Sequence, residues 1–186
     1  MQSIEEIANN YADNMHALWG EFSTEEVIKA AKLIEKTIDN FGTIYTCGNG
    51  GSSAIADHLV IDFQKGRGDK RQRYVRVISL CHYVTTTAVA NDIGYEYNFS
   101  FPLESLARPG DILIAFSVSG NSSNILYAVE KAKELHMPII GMTGFDGGGL
   151  GLAADINLNI PVTNYGMAED FFQPMMHIIA QYLHQE

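Results

Sequence analysis

Two stretches of this chain set serines and glycines where a strand hands over to a helix. The first, Thr46-Cys47-Gly48-Asn49-Gly50-Gly51-Ser52-Ser53, follows the apolar run Thr43-Ile44-Tyr45 and precedes a segment, 54–63, with apolar residues at helical spacing. The second, Ser117-Val118-Ser119-Gly120-Asn121-Ser122-Ser123-Asn124, follows the apolar run 112–116 and leads into a helix over 125–135. Glycines let backbone N–H groups turn toward an anion. A helix N-terminus adds partial positive charge, and serine hydroxyls add donors. In a parallel sheet both turns lie at the carboxyl ends of strands, where open α/β folds bind ligands. Two such turns in one small chain favour a phosphate-bearing ligand over two unrelated tight turns.

A second group of residues suits proton or metal chemistry. His58 and Asp62 are i and i+4 on one helical face, a spacing for a shared metal or a hydrogen-bonded pair. Glu169 and His177 are eight apart, ~12 Å along a continuous helix. They converge on one ion only if the helix breaks between them or long side chains reach, and Pro174 fits a first helical position after such a break. All four side chains are competent zinc ligands; the plain alternative is that the two histidines pack or pair in the core. Asn91 and Asp92 fall in a loop after a helix, where Asp92 either contacts sugar hydroxyls or forms a turn. Phe145-Asp146-Gly147-Gly148-Gly149 reads as the start of a helix rather than a further phosphate loop. Phe171, Phe172, Met175 and Met176 read as a packed interface.

The elements that position these residues alternate. Strands are predicted at 43–47, 74–80, 112–117, 138–143 and 156–160, with helices at 52–65, 85–91, 122–135, 146–153 and 168–184. Alternation of this kind predicts a parallel sheet with helices on both faces. Before it, residues 1–41 form a helical arm outside the α/β core of 42–186, the whole making one domain. Ile4, Ile7, Ala8, Tyr11, Met15, Leu18 and Trp19 mark its first helix. Val27, Ile28, Ala31, Ile34 and Ile38 mark its second, with a capping box at Ser23 and Glu26 and a C-cap at Gly42. The basic stretch 65–73 reads as a solvated loop.

Composition narrows the function. The 186 residues are 46% hydrophobic and 18% charged, ordinary for a globular chain with a sizeable core. A net charge of −10 argues against non-specific nucleic-acid binding and leaves any anion to be held by local donors. No apolar run is long enough for a membrane span, and the N-terminal residues lack the pattern of a signal peptide. Cys47 and Cys81 read as buried free thiols, so the expected compartment is cytoplasmic.

At these motifs the chain resembles the sugar isomerase (SIS) family, and within it the phosphoheptose isomerases. The matching pieces are 47–52, His58, 91–95, 108–111, 117–122, 143–144 and 146–148. The resemblance implies a three-layer, doubly wound, five-stranded parallel sheet and a homotetramer with active sites at subunit interfaces. It implies that the phosphate is held by Ser52, Ser117, Ser119, Ser122 and nearby backbone amides. The expected substrate site is therefore Asn49, Gly50, Gly51, Ser52, Ser53, Asn91, Asp92, Ser117, Val118, Ser119, Asn121 and Ser122. It further implies a zinc site, which falls on His58, Asp62, Glu169 and His177; Asp62 stands where the family has Glu, and Glu169 where it has Gln. The implied reaction converts sedoheptulose 7-phosphate to an aldose heptose 7-phosphate through an enediol. In that reading Asp62 is the base, His177 its acid/base partner and Glu169 a rival base. The alternative is a non-catalytic SIS module that binds a phosphosugar or a protein partner, as adaptors of the bacterial replication initiator do.

Overall fold

A computed structural model describes residues 1–20, 22–65 and 74–185; the basic stretch beyond Lys65 lies outside the described residues. Five strands make one all-parallel sheet: β1 (Thr43–Gly48), β2 (Arg76–Ser79), β3 (Ile112–Ser117), β4 (Ile139–Thr143) and β5 (Ile156–Asn159). Their order is β2-β1-β3-β4-β5. Each falls within a residue or two of its expected range. Side chains alternate across the sheet as strand geometry requires. On β3, Ile112, Ile114 and Phe116 join one core while Leu113 and Ala115 join the other. Every residue of β3 is buried, as befits a central strand covered on both faces.

The first core is closed by α2 (Thr24–Asp39), α3 (Gly51–Lys65) and α8 (Tyr165–Leu183). The second is closed by α5 (Ser100–Leu106), α6 (Ser123–Glu134) and α7 (Gly148–Ala153). From β1 the chain runs outward to β2, then crosses back to β3 on the other side of β1. That reversal opens a crevice between the carboxyl ends of β1 and β3, where Gly48 lies beside Phe116. Both Ser/Gly turns issue from this crevice.

Four expectations change. The arm is α1 (Ile4–Gly20) alone, which buries no residue and docks through Trp19, whose ring lies 4.2 Å from that of Phe171. α2 belongs to the sheet's first layer, because Val27, Ala30, Ala31, Ile34 and Ile38 form a stripe wide enough to bury, while Ile28 turns outward. Ser23 caps α2 by accepting from Glu25 N, with Glu26 bonded to Lys29 instead of closing a box. The left-handed residue after α2 is Phe41, φ 60°, and Gly42 is small because a Cβ there would strike the backbone of Gly110. Residues 95–106, unassigned by the pattern, form a 3-10 turn (Tyr95–Tyr97) and α5.

The break expected in the last helix is absent. α8 is continuous with Pro174 inside it. Losing a helical hydrogen bond at proline costs ~3 kcal/mol. Phe171, Phe172, Met175 and Met176 flank it and are all but fully buried in the subunit's own core. At ~1.5–3 kcal/mol each, their burial outweighs the proline. These four are thus core of one chain, not an interface.

Candidate active site

The β1 turn begins α3 at Gly51, and the β3 turn begins α6 at Ser123. Ser122 makes no side-chain cap on α6; its hydroxyl instead accepts from Ser117 Oγ at 3.4 Å. The first turns of both helices therefore present uncommitted N–H groups at the crevice. A cleft of about 280 Å³ lies between them, lined by Asn49, Gly50, Gly51, Ser52, Ser117, Val118, Ser119 and Ser122, and closed by Tyr165 and Glu169 of α8.

The two turns that line this cleft are tied together. Asn49 and Asn124 exchange hydrogen bonds, each Nδ2 donating to the other's Oδ1 at 2.8 Å. Tyr95 also donates to Asn49 Oδ1 at 3.0 Å. The Asn49 side chain thus holds the loops in register and leaves ligand contact to its neighbours. Asn121 is similarly committed, bonding Ser119 O and Gly149 N. Ser53 donates to Gly50 O at 2.6 Å and stands outside the cleft lining. Asn91 and Asp92 end α4 (Tyr83–Asp92), exposed and bonded to each other, and are likewise outside it.

α3 and α8 run parallel across the first face of the sheet. At one end Ser52 Oγ donates to Glu169 Oε1 at 3.0 Å. Gly51 is needed there, since a Cβ would collide with the Glu169 carboxylate. About two turns further along both helices, His58, Asp62 and His177 meet. Asp62 Oδ2 lies 3.2 Å from Nε2 of His58 and 3.2 Å from Nε2 of His177. One ligand atom from each residue falls within 4.8 Å of the others. Asp62 Oδ2 is buried yet receives no hydrogen bond among the described residues, and a buried carboxylate oxygen without one wants a cation. The donor set of two imidazoles and a carboxylate fits a divalent metal such as zinc. Beyond it, His184 Nε2 donates to Asp62 O at 2.7 Å, satisfying a carbonyl in the last turn of α3.

The comparisons place this architecture. A family model for the SIS domain matches residues 10–144. Over 164 residues the chain is 36% identical to a phosphoheptose isomerase of Helicobacter hepaticus, covering 88% of this chain and 83% of that one. It is 41% identical to the Cytophaga hutchinsonii phosphoheptose isomerase over 139 residues, 75% of this chain and 72% of that one. The chain belongs to the phosphoheptose isomerase family of SIS-domain proteins. Its backbone agrees: a phosphoheptose isomerase structure from Francisella tularensis superposes with a TM-score of 0.91 at 30% identity, covering all of both chains.

Within this family member, the structure brings together three of the four expected metal ligands. It sets Glu169 apart, beside Ser52 at the serine-lined cleft, because the unbroken helix separates it from His177 by two turns. The sequence alone assigns no role to Asn124, Tyr95, Tyr165, Gln173 or His184. Gln173 had a signal to find, being i−4 from His177; the others arrive through long-range contacts. Cys47 is buried and Cys81 partly so, both free, and burial pushes both thiols up. No helix among the described residues is long and apolar enough to cross a membrane.

Proposed function

We propose that this chain is an aldose–ketose isomerase of a phosphorylated sugar, converting sedoheptulose 7-phosphate to an aldose heptose 7-phosphate. The observation that carries the reading is the pairing, on α3 and α8, of a serine-lined cleft with a His58–Asp62–His177 group two turns away. That offset is ~12 Å at 1.5 Å of rise per residue. In an open-chain heptose 7-phosphate the reacting C1–C2 pair lies roughly 10 Å from phosphorus, at ~1.2 Å per extended bond. A phosphate held by Ser52, Ser117, Ser119, Ser122 and the N-termini of α3 and α6 then leaves the carbonyl end near Asp62.

There Asp62 takes the proton from C1, the carbon beside the ketone, and the enediol forms. The same carboxylic acid returns the proton at C2, giving the aldose. Asp62 Oδ2 faces the histidines, and Oδ1 is assigned to this transfer. His177 moves the proton between the two sugar oxygens through Nδ1, since its Nε2 faces Asp62 and would hold the ion. His58, Asp62 and His177 would hold a divalent ion, which when bound supplies positive charge for the developing oxyanion. Glu169 serves the phosphate end in this reading.

Assembly as a homotetramer with sites at subunit interfaces is supported by apolar side chains that one chain leaves uncovered, among them Ile4 and Ile7 of α1 and Ile178 of α8. Two free thiols fit a reducing, cytoplasmic setting. The test incubates metal-replete protein with sedoheptulose 7-phosphate and follows the aldose by NMR, beside a chelated control. Metal-dependent turnover supports the proposal. Thermal stabilisation by the sugar without turnover points to a binding module, and neither response refutes both.

A further inference from the structure

We infer that Tyr165 is a phosphate-binding residue, its hydroxyl donating to the phosphate held between the two Ser/Gly turns. The inference rests on reading the serine-lined cleft as the phosphate site. Tyr165 opens α8 and lines that cleft together with Ser52, Ser119 and Ser122. Asn164 fixes the start of the helix, its Oδ1 accepting from Met167 N at 3.2 Å. Among the described residues the Tyr165 hydroxyl has no hydrogen-bond partner, so it is free to turn to a ligand. Tyr165 also precedes His177 by twelve residues on the unbroken helix, ~18 Å in rise. It therefore stands at the end of the site remote from the His58–Asp62–His177 group, where the phosphate and not the reacting carbons would lie.

A residue of the glycine-rich run after β4 holds the ring in place. The Phe145 ring meets Tyr165 edge to face, with centroids 5.3 Å apart and planes at 87°. Phe145 N donates to Val162 O at 3.1 Å, which ties the loop after β4 to the segment that enters α8. Phe145 does this at a φ of 46°, a left-handed conformation that a bulky side chain rarely adopts. Strain of this kind persists only where the surrounding structure enforces it, and it collects at ligand sites. Phe145 is thus a positioning residue: it packs against the first core and sets the Tyr165 ring at the cleft. A phosphate monoester offers three acceptor oxygens. The two turns approach it from β1 and β3, and a phenol on α8 adds a third element.

The experiment titrates the full chain calorimetrically with inorganic phosphate and with sedoheptulose 7-phosphate, beside steady-state isomerisation. Tyr165→Phe keeps the ring and its contact with Phe145 and loses only the hydroxyl. It is expected to weaken both ligands by about 10-fold, the lower end for a hydrogen bond to a charged group, and to raise KM while kcat and melting temperature hold. Wild-type affinity for both ligands overturns the assignment. So does a loss for the sugar phosphate alone, which would put the hydroxyl on the sugar. Phe145→Leu keeps apolar bulk without the ring, and should weaken phosphate by roughly 3-fold. In the Tyr165→Phe background it should add nothing, since no hydroxyl is left to position; an equal further loss there overturns the positioning role. Ser122→Ala separates the two failures. If it weakens phosphate and Tyr165→Phe does not, only the assignment falls; if neither does, the phosphate cleft falls with it.

Discussion

If the serine-lined cleft holds the phosphate as proposed, removing a negative charge from it is expected to tighten ligand binding. Glu169 Oε1 lies 3.0 Å from Ser52 Oγ, so a phosphate oxygen that took the Ser52 hydroxyl would sit roughly 5 Å from the carboxylate. Unit charges 5 Å apart repel by ~0.8 kcal/mol in bulk water and ~3 kcal/mol at an effective dielectric of 20. The phosphate carries nearly two charges, and the cleft opens to solvent, so about 1–3 kcal/mol is the working range. Ser52 must also surrender its bond to Glu169 before it can donate to phosphate. Glu169→Gln removes the repulsion and supplies an N–H donor. It is predicted to lower the Kd for sedoheptulose 7-phosphate by roughly 5–150-fold, taking 1.4 kcal/mol per decade. Calorimetric titration of metal-free protein near neutral pH reads this without turnover. The gain should shrink as salt is raised, because the charges are partly exposed. An unchanged or weaker Kd in Glu169→Gln would refute the placement of the phosphate beside Ser52.

Three further outcomes are expected. Asp62→Asn should lower kcat by ~10²–10⁴-fold, as loss of a general base does, while sugar-phosphate affinity in the calorimeter holds; near-normal turnover would remove the mechanism. Phe172→Ala, at a fully buried position, should cost ~3–5 kcal/mol in denaturant unfolding, and a loss below 1 kcal/mol would mean α8 is not the core helix described. Tyr11 is pushed up to about 12 by burial and by its hydrogen bond to Asp170. Its neutral form therefore favours the docked arm fully below the ordinary value near 10, and that contribution is lost as pH rises toward 12. Trp19, the chain's single tryptophan and stacked on Phe171, should report the arm's release by fluorescence over that window, and Tyr11→Phe should flatten the transition.

Much of this fold was legible in sequence because its signals are local. The buried strands are continuous apolar runs, and the Ser/Gly turns punctuate them where they occur. The two-turn offset of Glu169 and His177 was legible as well, and only its consequence was misread. Pro174 suits a first helical position after a break, since a local rule weighs proline's missing N–H and not the four large side chains that pin α8 to the sheet. The same limit explains α2: an amphipathic helix ahead of the first strand looks like an appendage until β5 and α8 are seen to complete its groove. The Asn49–Asn124 pair spans 75 residues, and no spacing rule reaches that far. Asn91 and Asp92 show the reverse, residues carried by a motif that the folded subunit leaves outside its own cleft.

The two ends of the site are carried by a pair of rods rather than by loops, and this limits how the span between them can change. Inserting one residue into either α3 or α8 rotates everything beyond it by about 100°, which would turn Asp62 or His177 away from its partner. The span therefore moves only in whole turns, ~5.4 Å at a time, and only if both helices change together. A sugar one carbon shorter differs by ~1.2 Å, a step no helical register can supply. Fine adjustment falls to side-chain length: if Asp62 is the base, as proposed, a carboxylate one methylene shorter than glutamate shifts the reacting end by about one carbon of substrate.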